Sequence, residues 1–364
     1  MVILHLITTI ERGGAEKQLL VLTNQQRMMG HEVHVVPIKG KLDLQEEFQA
    51  QGCLVHTQLL AIKPVSQKFA IQKIVKQVCP DVIHAHLPRA ELLASVIKTN
   101  SIKIVSKHNT ELFFPTGNPI VSKLLSQFVS YRVDAIIAIS SAVKKFIIDS
   151  GELPKHSKLH VVLYGMGATE PPNREIIENL KKELKIPKGA RVFGTISRLV
   201  PQKDLKTQLL AFNEYLKINQ AAQLVVIGEG PLLYDLKTFS EEIGCQDNVI
   251  WYGKTSNINE MLQIFDIFLL SSLYEGLGLV LLEAIGNQSP ILAANNSAIP
   301  EVLGYEFPGL FETSDWEALF NKMRQADSAE FCKILLGQQE KRKKYFNPEV
   351  MARNIQDVYE GVHK

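Results

Sequence analysis

Short apolar runs alternate with longer amphipathic stretches along this chain of 364 residues, and this alternation most constrains its fold. Runs such as Val2–Thr8, Ile102–Lys107 and Asp134–Ile139 are each followed by an amphipathic stretch. Continuous apolar strands separated by helices are typical of parallel strands that are covered on both faces. The pattern therefore predicts a doubly wound α/β sheet.

The alternation pauses once, at Gly165–Arg174, where Gly and Pro are concentrated. It then restarts, with strands predicted at Arg191–Ser197, Gln223–Ile227, Asn248–Tyr252, Ile267–Ser271 and Pro290–Ala293. The chain is also longer than the ~150 residues of one ordinary domain. We therefore predict two doubly wound, Rossmann-like domains, 1–168 and 169–346, which face a central cleft. A final helix is predicted at 347–364, beginning near Asn347-Pro348.

Charge is uneven along the chain. Residues 1–168 contain 19 Lys and Arg against 12 Asp and Glu, a net charge of +7, whereas residues 169–364 carry −5, which together give the formal net charge of +2. The basic first half predicts contact with something anionic, such as phosphate or a membrane surface, and chance unevenness is the alternative. The four cysteines lack metal-ligand spacing, and the amino terminus lacks the charge of a signal peptide. No run reaches the ~18 apolar residues of a membrane-spanning helix, so we expect a cytoplasmic protein whose membrane contact, if any, is peripheral.

Three segments carry candidate chemistry. Gly13 and Gly14 lie in a turn between the first strand and the first helix, where backbone amides can bind an anion. The turn lacks the G-x-G-x-x-G pattern of dinucleotide sites, and a tight strand–helix turn is the alternative. Arg198 and Lys203 follow a strand of the second domain and suit a diphosphate, unless they are ordinary solvated charges.

The third segment, Ser271–Glu283, contains two carboxylates eight positions apart, Glu275 and Glu283. Carboxylates accept hydrogen bonds from vicinal hydroxyls, so a sugar or a ribose is a natural partner. A pair of helix-capping glutamates is the alternative. Two carboxylates also fit a glycosidase, although a glycosidase does not need the anion-binding elements.

Together these motifs resemble those of retaining glycosyltransferases of family four, which have the GT-B fold. The resemblance covers nearly the whole chain and also rests on His108-Asn109, on Ala138-Ile139-Ser140 and on the turn Gly228–Pro231. The last helix resembles the family's carboxyl-terminal helix, which crosses back onto the first domain. The resemblance implies transfer of a sugar from a nucleotide sugar, such as a UDP- or GDP-sugar, to a hydroxyl acceptor in cell-surface polysaccharide or glycolipid biosynthesis.

The resemblance also implies roles for individual residues. Arg198 and Lys203 match the pair that neutralises the departing diphosphate, and Glu275 matches the carboxylate that holds donor-sugar hydroxyls. Glu283 matches the ribose-binding residue. His108 matches a histidine beside the donor sugar, with a structural histidine at a strand end as the alternative. The remaining donor-binding positions are Gly13, Gly14, Gly228, Leu277, Gly278 and Leu279.

The implied reaction is a front-face substitution in which the leaving phosphate oxygen takes the acceptor's proton and the two cations stabilise the developing charge. It implies no cofactor and no metal ion, and the sequence contains no Asp-x-Asp motif. Three positions depart from the family pattern. Ser197 and Asp204 stand where glycine is frequent, and Leu277 stands where phenylalanine is frequent. Asp204 is expected to reduce the charge of Lys203.

Two other functions remain open: a nucleotide-sugar epimerase of the same fold, and a non-catalytic sugar-nucleotide-binding protein. Nucleic-acid binding is disfavoured, because basic and aromatic residues are not interleaved. The expected acceptor is a carbohydrate or a lipid-linked sugar, and Lys63–Lys76 and Gly117–Arg132 are candidate acceptor-facing or membrane-facing segments. Ile120–Arg132 mixes apolar and basic residues as an interfacial helix does, and packing on the sheet is the alternative.

Overall fold

The computed structural model of the protein describes residues 1–114, 117–153, 158–167, 169 and 173–362. The chain forms two compact units. The first contains Met1–Gly165 together with Tyr345–Lys364, and the second contains Met166–Lys344. The first unit passes into the second within the predicted linker Gly165–Arg174, of which residues 168 and 170–172 lie outside the described part of the chain.

The first unit contains a seven-stranded sheet in which every neighbouring pair of strands is parallel. Its strands are β1 (Val2–Ile7), β2 (Glu32–Pro37), β3 (Leu54–Val55), β4 (Val82–His86), β5 (Ile102–Lys107), β6 (Ala135–Ala138) and β7 (Leu159–Val161). Their order in the sheet is β3-β2-β1-β4-β5-β6-β7. The helices are α1 (Gly14–Met28), α2 (Gln45–Ala50), α3 (Gln67–Val78), α4 (Pro88–Ser95), α5 (Pro119–Arg132) and α6 (Ser141–Asp149). The order reverses between β1 and β4, as it does in doubly wound sheets.

The second unit contains a six-stranded parallel sheet with the order β10-β9-β8-β11-β12-β13. Its strands are β8 (Val192–Ile196), β9 (Gln223–Ile227), β10 (Val249–Gly253), β11 (Ile267–Leu270), β12 (Ile291–Ala294) and β13 (Leu310–Phe311). Its helices are α7 (Arg174–Glu183), α8 (Leu205–Leu216), α9 (Leu233–Glu242), α10 (Ile258–Ile264), α11 (Leu279–Gly286), α12 (Ile299–Leu303), α13 (Trp316–Gln325) and α14 (Ala329–Arg342). The two doubly wound parallel sheets predicted from the sequence are therefore confirmed.

The last helix, α15 (Pro348–Val362), belongs to the first unit. Asn347 caps it, because its Oδ1 accepts hydrogen bonds from the amides of Glu349 at 2.7 Å and Val350 at 3.3 Å. The helix packs on α1, and its Tyr359 is fully buried there. His363 lies outside the described residues.

The two faces of the first sheet differ in chemistry. Side chains alternate between the faces of a strand. Leu4, Ile83 and Val105 belong to an aliphatic core that also contains residues of α3 and α4. On the opposite face, His5 of β1 hydrogen-bonds α1, and His84 of β4 hydrogen-bonds α15. One layer is therefore apolar, whereas the other contains polar rings that are equally buried.

The predicted element bounds differ from the structure mainly at their ends. Strand β13 is absent from the prediction, because two residues are too few to show a period. Among the described residues, no helix combines the length and the apolar character that crossing a membrane requires.

Gly228 should be far less tolerant of substitution than the glycines of the second unit at which a Cβ atom would meet nothing within 4 Å. Its φ is +135°, and a Cβ atom there would overlap the carbonyl oxygen of Ser197. Gly228→Ala should lower the free energy of unfolding by about 2–4 kcal/mol, through backbone strain and steric overlap. The measurement is urea unfolding followed by a probe in the second unit.

Gly337→Ala is the matched control. Gly337 lies in α14, where a Cβ atom would meet nothing within 4 Å. Alanine in a helix should stabilise the unit by about 1 kcal/mol. Equal unfolding midpoints for the two variants would contradict the structural role of Gly228.

Candidate functional site

Two loops of the second unit meet at the carboxyl edge of its sheet. Strands β8 and β11 pair in parallel, with Phe193 opposite Ile267. Because parallel neighbours end at the same edge, the loops that follow them are adjacent. The first loop carries Arg198 and Lys203, and the second carries Glu275. Pairing of these strands thus brings together residues that are 72 positions apart.

Lys203 and Glu275 form an ion pair. The Nζ of Lys203 lies 2.6 Å from Oε1 of Glu275, and the two side chains are 13% and 8% exposed. The hydroxyl of Ser272 donates a second hydrogen bond to the same oxygen, at 2.6 Å. Two predicted site residues are therefore in direct contact, and each supplies the charge that the other needs in order to be buried.

Arg198 is the exposed cation of the predicted pair. Its Nη2 donates to Oε1 of Gln202 at 3.3 Å, and Nε2 of Gln202 donates to the carbonyl of Tyr274 at 2.8 Å. The amide of Leu273 donates to the carbonyl of Gln202 at 2.8 Å. Gln202, which the sequence pattern did not single out, thus joins the two loops and holds Arg198 beside the segment that contains Glu275.

Asp204 occupies a left-handed backbone conformation, with φ 44° and ψ 49°. Its Oδ2 accepts hydrogen bonds from the hydroxyls of Thr207 and Ser314, each at 2.8 Å. Glycine adopts this conformation without strain, which gives a physical reason for the glycine that is frequent here in the resembled family. The hydrogen bonds of the Asp204 carboxylate thus go to these hydroxyls, while Lys203 pairs with Glu275.

The turn that begins at Gly228 packs tightly against the loop containing Arg198. The amide of Leu199 donates to the carbonyl of Glu229 at 2.9 Å, and a Cβ atom at Gly230 would overlap the carbonyl of Leu199. The hydroxyl of Ser197 is buried without a hydrogen-bond partner among the described residues. These glycines are required by the close approach of the two backbones.

Helix α11 follows the loop that contains Glu275. Gly278 is its N-cap, with φ 77°, and Leu279 is its first residue. Leu277 is buried beside the cap, and the half-buried Glu283 lies one turn into the helix. The amides of the first turn and the Glu283 carboxylate therefore belong to the same short helix, in the segment that follows Glu275.

In the first unit, Gly13 is the N-cap of α1 and Gly14 is its first residue. The carboxylate of Glu16 accepts a hydrogen bond from the Thr9 hydroxyl at 2.6 Å, and burial raises the pKa of Glu16. A Cβ atom at Gly13 would overlap this carboxylate. An acidic side chain, Glu16, thus lies at the predicted anion-binding turn. The prediction rested on the two glycines alone and did not take this carboxylate into account.

His108 follows β5 and is buried. The hydroxyl of Tyr164 lies 3.2 Å from each of its ring nitrogens, and Nδ1 of His86 lies 3.3 Å from its Nε2. Burial, with a smaller contribution from the charge of Lys107, lowers the pKa of His108 to about 3. The ring is therefore neutral at pH 7.

Three further buried histidines, His5, His84 and His86, were missed by the sequence analysis. Their ring nitrogens lie within 4.8 Å of one another, close enough to be considered as metal ligands. The sequence did contain a signal for this cluster, namely the His-x-His pattern of the apolar strand β4. Alternate residues of a strand share a face, so the pattern places His84 and His86 side by side. The ring centroids of His84 and His86 are 4.2 Å apart, and the two ring planes are inclined by 33°.

Comparisons with known proteins agree with this architecture. The family model described as Glycosyltransferase Family 4 matches residues 12–166, and the model described as Glycosyl transferases group 1 matches residues 176–345. Together the two matches span most of the chain.

Two relatives illustrate the range of the similarity. The chain is 26% identical over 290 residues to N-acetyl-alpha-D-glucosaminyl L-malate synthase of Bacillus anthracis, covering 78% of this chain and 75% of that protein. It is also 26% identical over 238 residues to alpha-monoglucosyldiacylglycerol synthase of Streptococcus pneumoniae, covering 62% of this chain and 54% of that protein.

Among solved structures, HepE of Anabaena in complex with UDP-glucose matches with a TM-score of 0.84 and 18% identity, over 99% of this chain and 100% of that chain. At this identity, the likeness is evidence of a shared fold. The sequence motifs, the two parallel sheets and the two family models lead to one conclusion. The chain belongs to the group 1 glycosyltransferases of family four and has the GT-B fold.

Proposed function

We propose that this protein transfers a hexose, with retention of anomeric configuration, from a UDP- or GDP-sugar to a hydroxyl acceptor in polysaccharide or glycolipid biosynthesis. The observation that carries the proposal is the Lys203–Glu275 pair beside Arg198, on neighbouring loops of one sheet edge. This edge offers a carboxylate for sugar hydroxyls next to two cations for a diphosphate.

The donor site is proposed to use both kinds of group at once. Lys203 has three N–H donors, and the ion pair with Glu275 occupies one of them, so phosphate oxygens can accept the others. Glu283 would bind the ribose, and the backbone near Leu277, Gly278 and Leu279 would contact the donor. The likeness to a structure that contains UDP-glucose supports a nucleotide-sugar donor.

The first unit is proposed to contribute Gly13, Gly14 and His108 as further donor contacts. Gly14 would approach the diphosphate with its backbone amide, since it is the first residue of α1 and carries no side chain. His108 would border the sugar as a neutral ring. Gly228 is proposed to border the nucleoside in addition to its structural role.

The proposed chemistry is a front-face substitution. The acceptor oxygen bonds to the anomeric carbon as the bond from that carbon to the phosphate oxygen breaks, and the departing phosphate oxygen takes the acceptor's proton. Glu275, whose Oε1 is held by Lys203 and Ser272, is proposed to hold donor-sugar hydroxyls rather than to act as a covalent nucleophile. Arg198 and Lys203 would stabilise the charge that develops on the phosphate. We propose that these cations make a bound metal ion unnecessary.

A membrane-associated acceptor is proposed because of the outer face of α5. The apolar side chains of Ile120, Leu124 and Tyr131 are 70%, 59% and 74% exposed, and their spacing places them on one face. The other face buries Ser122, Ser126 and Val129 in the unit. Lys123 and Arg132 lie on the same helix, as on helices at membrane surfaces. A glycolipid synthase among the relatives supports a lipid-linked acceptor.

The proposal predicts stabilisation by a sugar nucleotide and formation of a new glycoside. A matching donor at 100 times its Kd should stabilise the protein by about 2.7 kcal/mol in a thermal-shift panel of UDP- and GDP-sugars. Product analysis with the best donor should show free nucleotide and a glycosylated acceptor. Recovery of an epimerised sugar nucleotide would instead identify an isomerase, and binding without turnover over a wide acceptor panel would identify a binding protein.

Arg198→Ala should lower turnover by two to three powers of ten, because it removes one stabiliser of the leaving group. Arg198 is exposed, so the variant should unfold at the wild-type temperature. Lys203 is a poorer choice, since its removal would leave the Glu275 charge buried and could cost about 3–5 kcal/mol.

Arg324→Ala is the matched control, because it removes an exposed guanidinium from α13 of the same unit. Steady-state transfer rates for the two variants provide the comparison. Turnover of Arg198→Ala within a few-fold of the control would refute the role of Arg198.

Binding to anionic vesicles should depend on α5. The double variant Ile120→Ser/Leu124→Ser should partition onto phosphatidylglycerol vesicles at least ten-fold more weakly than wild type, since two aliphatic side chains each contribute about 1.5–3 kcal/mol when buried. The control is Tyr234→Ser/Tyr305→Ser, which changes two exposed aromatic residues of the second unit. Identical sedimentation of both double variants with vesicles would exclude α5 as the contact.

A further inference from the structure

A buried polar layer lies against one face of the first sheet. It contains His5, His84, His86 and His108, which we call the histidine layer, and all four rings are largely or wholly buried. Gln26 of α1 and Tyr359 of α15 hydrogen-bond to it. Ring nitrogens in such a place must find partners, because an unsatisfied buried polar group is costly.

Gln26 determines the direction of the first hydrogen bond. Its Oε1 lies 2.7 Å from Nε2 of His5, and an amide oxygen can only accept, so His5 donates from Nε2. A neutral imidazole has one proton, so Nδ1 of His5 must accept. Its partner is Nε2 of His86 at 3.0 Å, which therefore carries a proton.

The same reasoning continues to His108. With its proton on Nε2, His86 accepts at Nδ1, and its partner there is Nε2 of His108 at 3.3 Å. His108 therefore carries its proton on Nε2 and can accept at Nδ1 from the Tyr164 hydroxyl at 3.2 Å. Three hydrogen bonds thus connect Gln26 to His108, and each determines the direction of the next.

A second branch starts from the same amide. Nε2 of Gln26 donates to the Tyr359 hydroxyl at 3.2 Å, and this hydroxyl donates to Nδ1 of His84 at 2.7 Å. His84 then donates from Nε2 to the Ser106 hydroxyl at 2.8 Å. Every ring of the layer carries its proton on Nε2, which is also the tautomer that a neutral histidine prefers in water.

The layer is uncharged at neutral pH. Burial lowers the pKa of His5 to about 4, and the pKa values of His84 and His86 are lowered well below the usual value of a histidine. The charged group beside His108 is Lys107, which lowers the pKa of His108 further and is itself paired with Glu91 at 2.6 Å. Because each ring has a single proton, reversing the direction of one hydrogen bond requires every hydrogen bond between His5 and His108 to reverse as well.

We propose that Gln26 is a positioning residue for His108: through His5 and His86 it holds the His108 ring in the tautomer with the proton on Nε2, three hydrogen bonds away. This inference rests on the proposed function in one respect, namely that His108 borders the donor sugar. His108 would then present a fixed, hydrogen-bonded ring to the donor, without acting as an acid or a base.

Nitrogen NMR of histidine-labelled full-length protein, without any nucleotide sugar, tests this directly. The chain has ten histidines, and His108→Gln assigns the signal of interest. In wild type, His108 should show a protonated Nε2 and a bare Nδ1, unchanged between pH 5 and 8. In Gln26→Leu, His5 loses its acceptor, and an orphaned buried N–H is rarer than an orphaned acceptor. His5, His86 and His108 should therefore all shift toward protonation on Nδ1.

Tyr359→Phe is the matched control, because it removes one oxygen from the second branch and leaves the Gln26–His5 bond in place. It should shift the Nδ1 signal of His84 and leave His108 unchanged. A His108 signal that titrates between pH 5 and 8, or that shows Nδ1 protonated in wild type, would overturn the proposal. A Gln26→Leu spectrum in which His108 keeps its proton on Nε2 would overturn it as well. The wild-type spectrum is a test of the tautomer that does not depend on the folding of any variant. Zn²⁺ added at one equivalent should leave the spectrum unchanged, and loss of the Nε2–H signals would assign the layer to metal binding instead.

Kinetics separates this inference from the proposed function. If the protein is a transferase, Gln26→Leu should raise the KM for the donor about ten-fold and leave the acceptor KM unchanged, while Tyr359→Phe should keep the wild-type donor KM. Equal donor KM values for Gln26→Leu and wild type would overturn the link to the donor. Absence of transfer in wild type, with the tautomer as described, would remove the proposed function and leave the hydrogen-bonded row intact.

Discussion

Parallel pairing of strands is the constraint on which the rest of this structure depends. In a parallel sheet, every strand ends at the same edge, so loops that are distant in sequence become neighbours there. Strands β8 and β11 pair directly, and this pairing brings Lys203 within 2.6 Å of Glu275. No local property of either loop could produce that contact. Gly228 and Gly230 lie at the same edge of the sheet, where the absence of a side chain lets one backbone pass close to another.

The structure buries its polar groups in two different ways. Two pairs of opposite charges are buried together, Lys203 with Glu275 and Lys107 with Glu91, and in each pair Nζ lies 2.6 Å from a carboxylate oxygen. The histidines of the histidine layer are buried uncharged, because desolvation favours the neutral ring. An ion pair holds both of its charged groups in place, whereas the neutral rings are held by hydrogen bonds alone.

The departures from the family pattern become clearer in this setting. Asp204 has a positive φ of 44°, which explains why glycine is frequent at this position, and its hydrogen bonds to Thr207 and Ser314 offset the strain. Ser197 adds a hydroxyl that is buried next to the Gly228 turn. Both departures leave the Lys203–Glu275 pair intact. They change the surroundings of the charged groups.

The sequence by itself determined the class of the fold. Apolar runs of strand length, separated by amphipathic helices, allow few arrangements other than doubly wound parallel sheets. The sequence also identified Arg198, Lys203 and Glu275 as candidates, since charged side chains after strands are suited to ligands, and the family resemblance added His108. Strand β13 escaped prediction because two residues carry no period.

Only the tertiary structure decided how these residues are partnered. The ion pair of Lys203 with Glu275, the bridge made by Gln202 and the row from Gln26 to His108 join residues on different elements. Hydrogen bonds act over about 3 Å, and sequence patterns carry no distances between elements. For that reason, the chain revealed which residues could do chemistry, and the packing of strands and helices decided which of them act together.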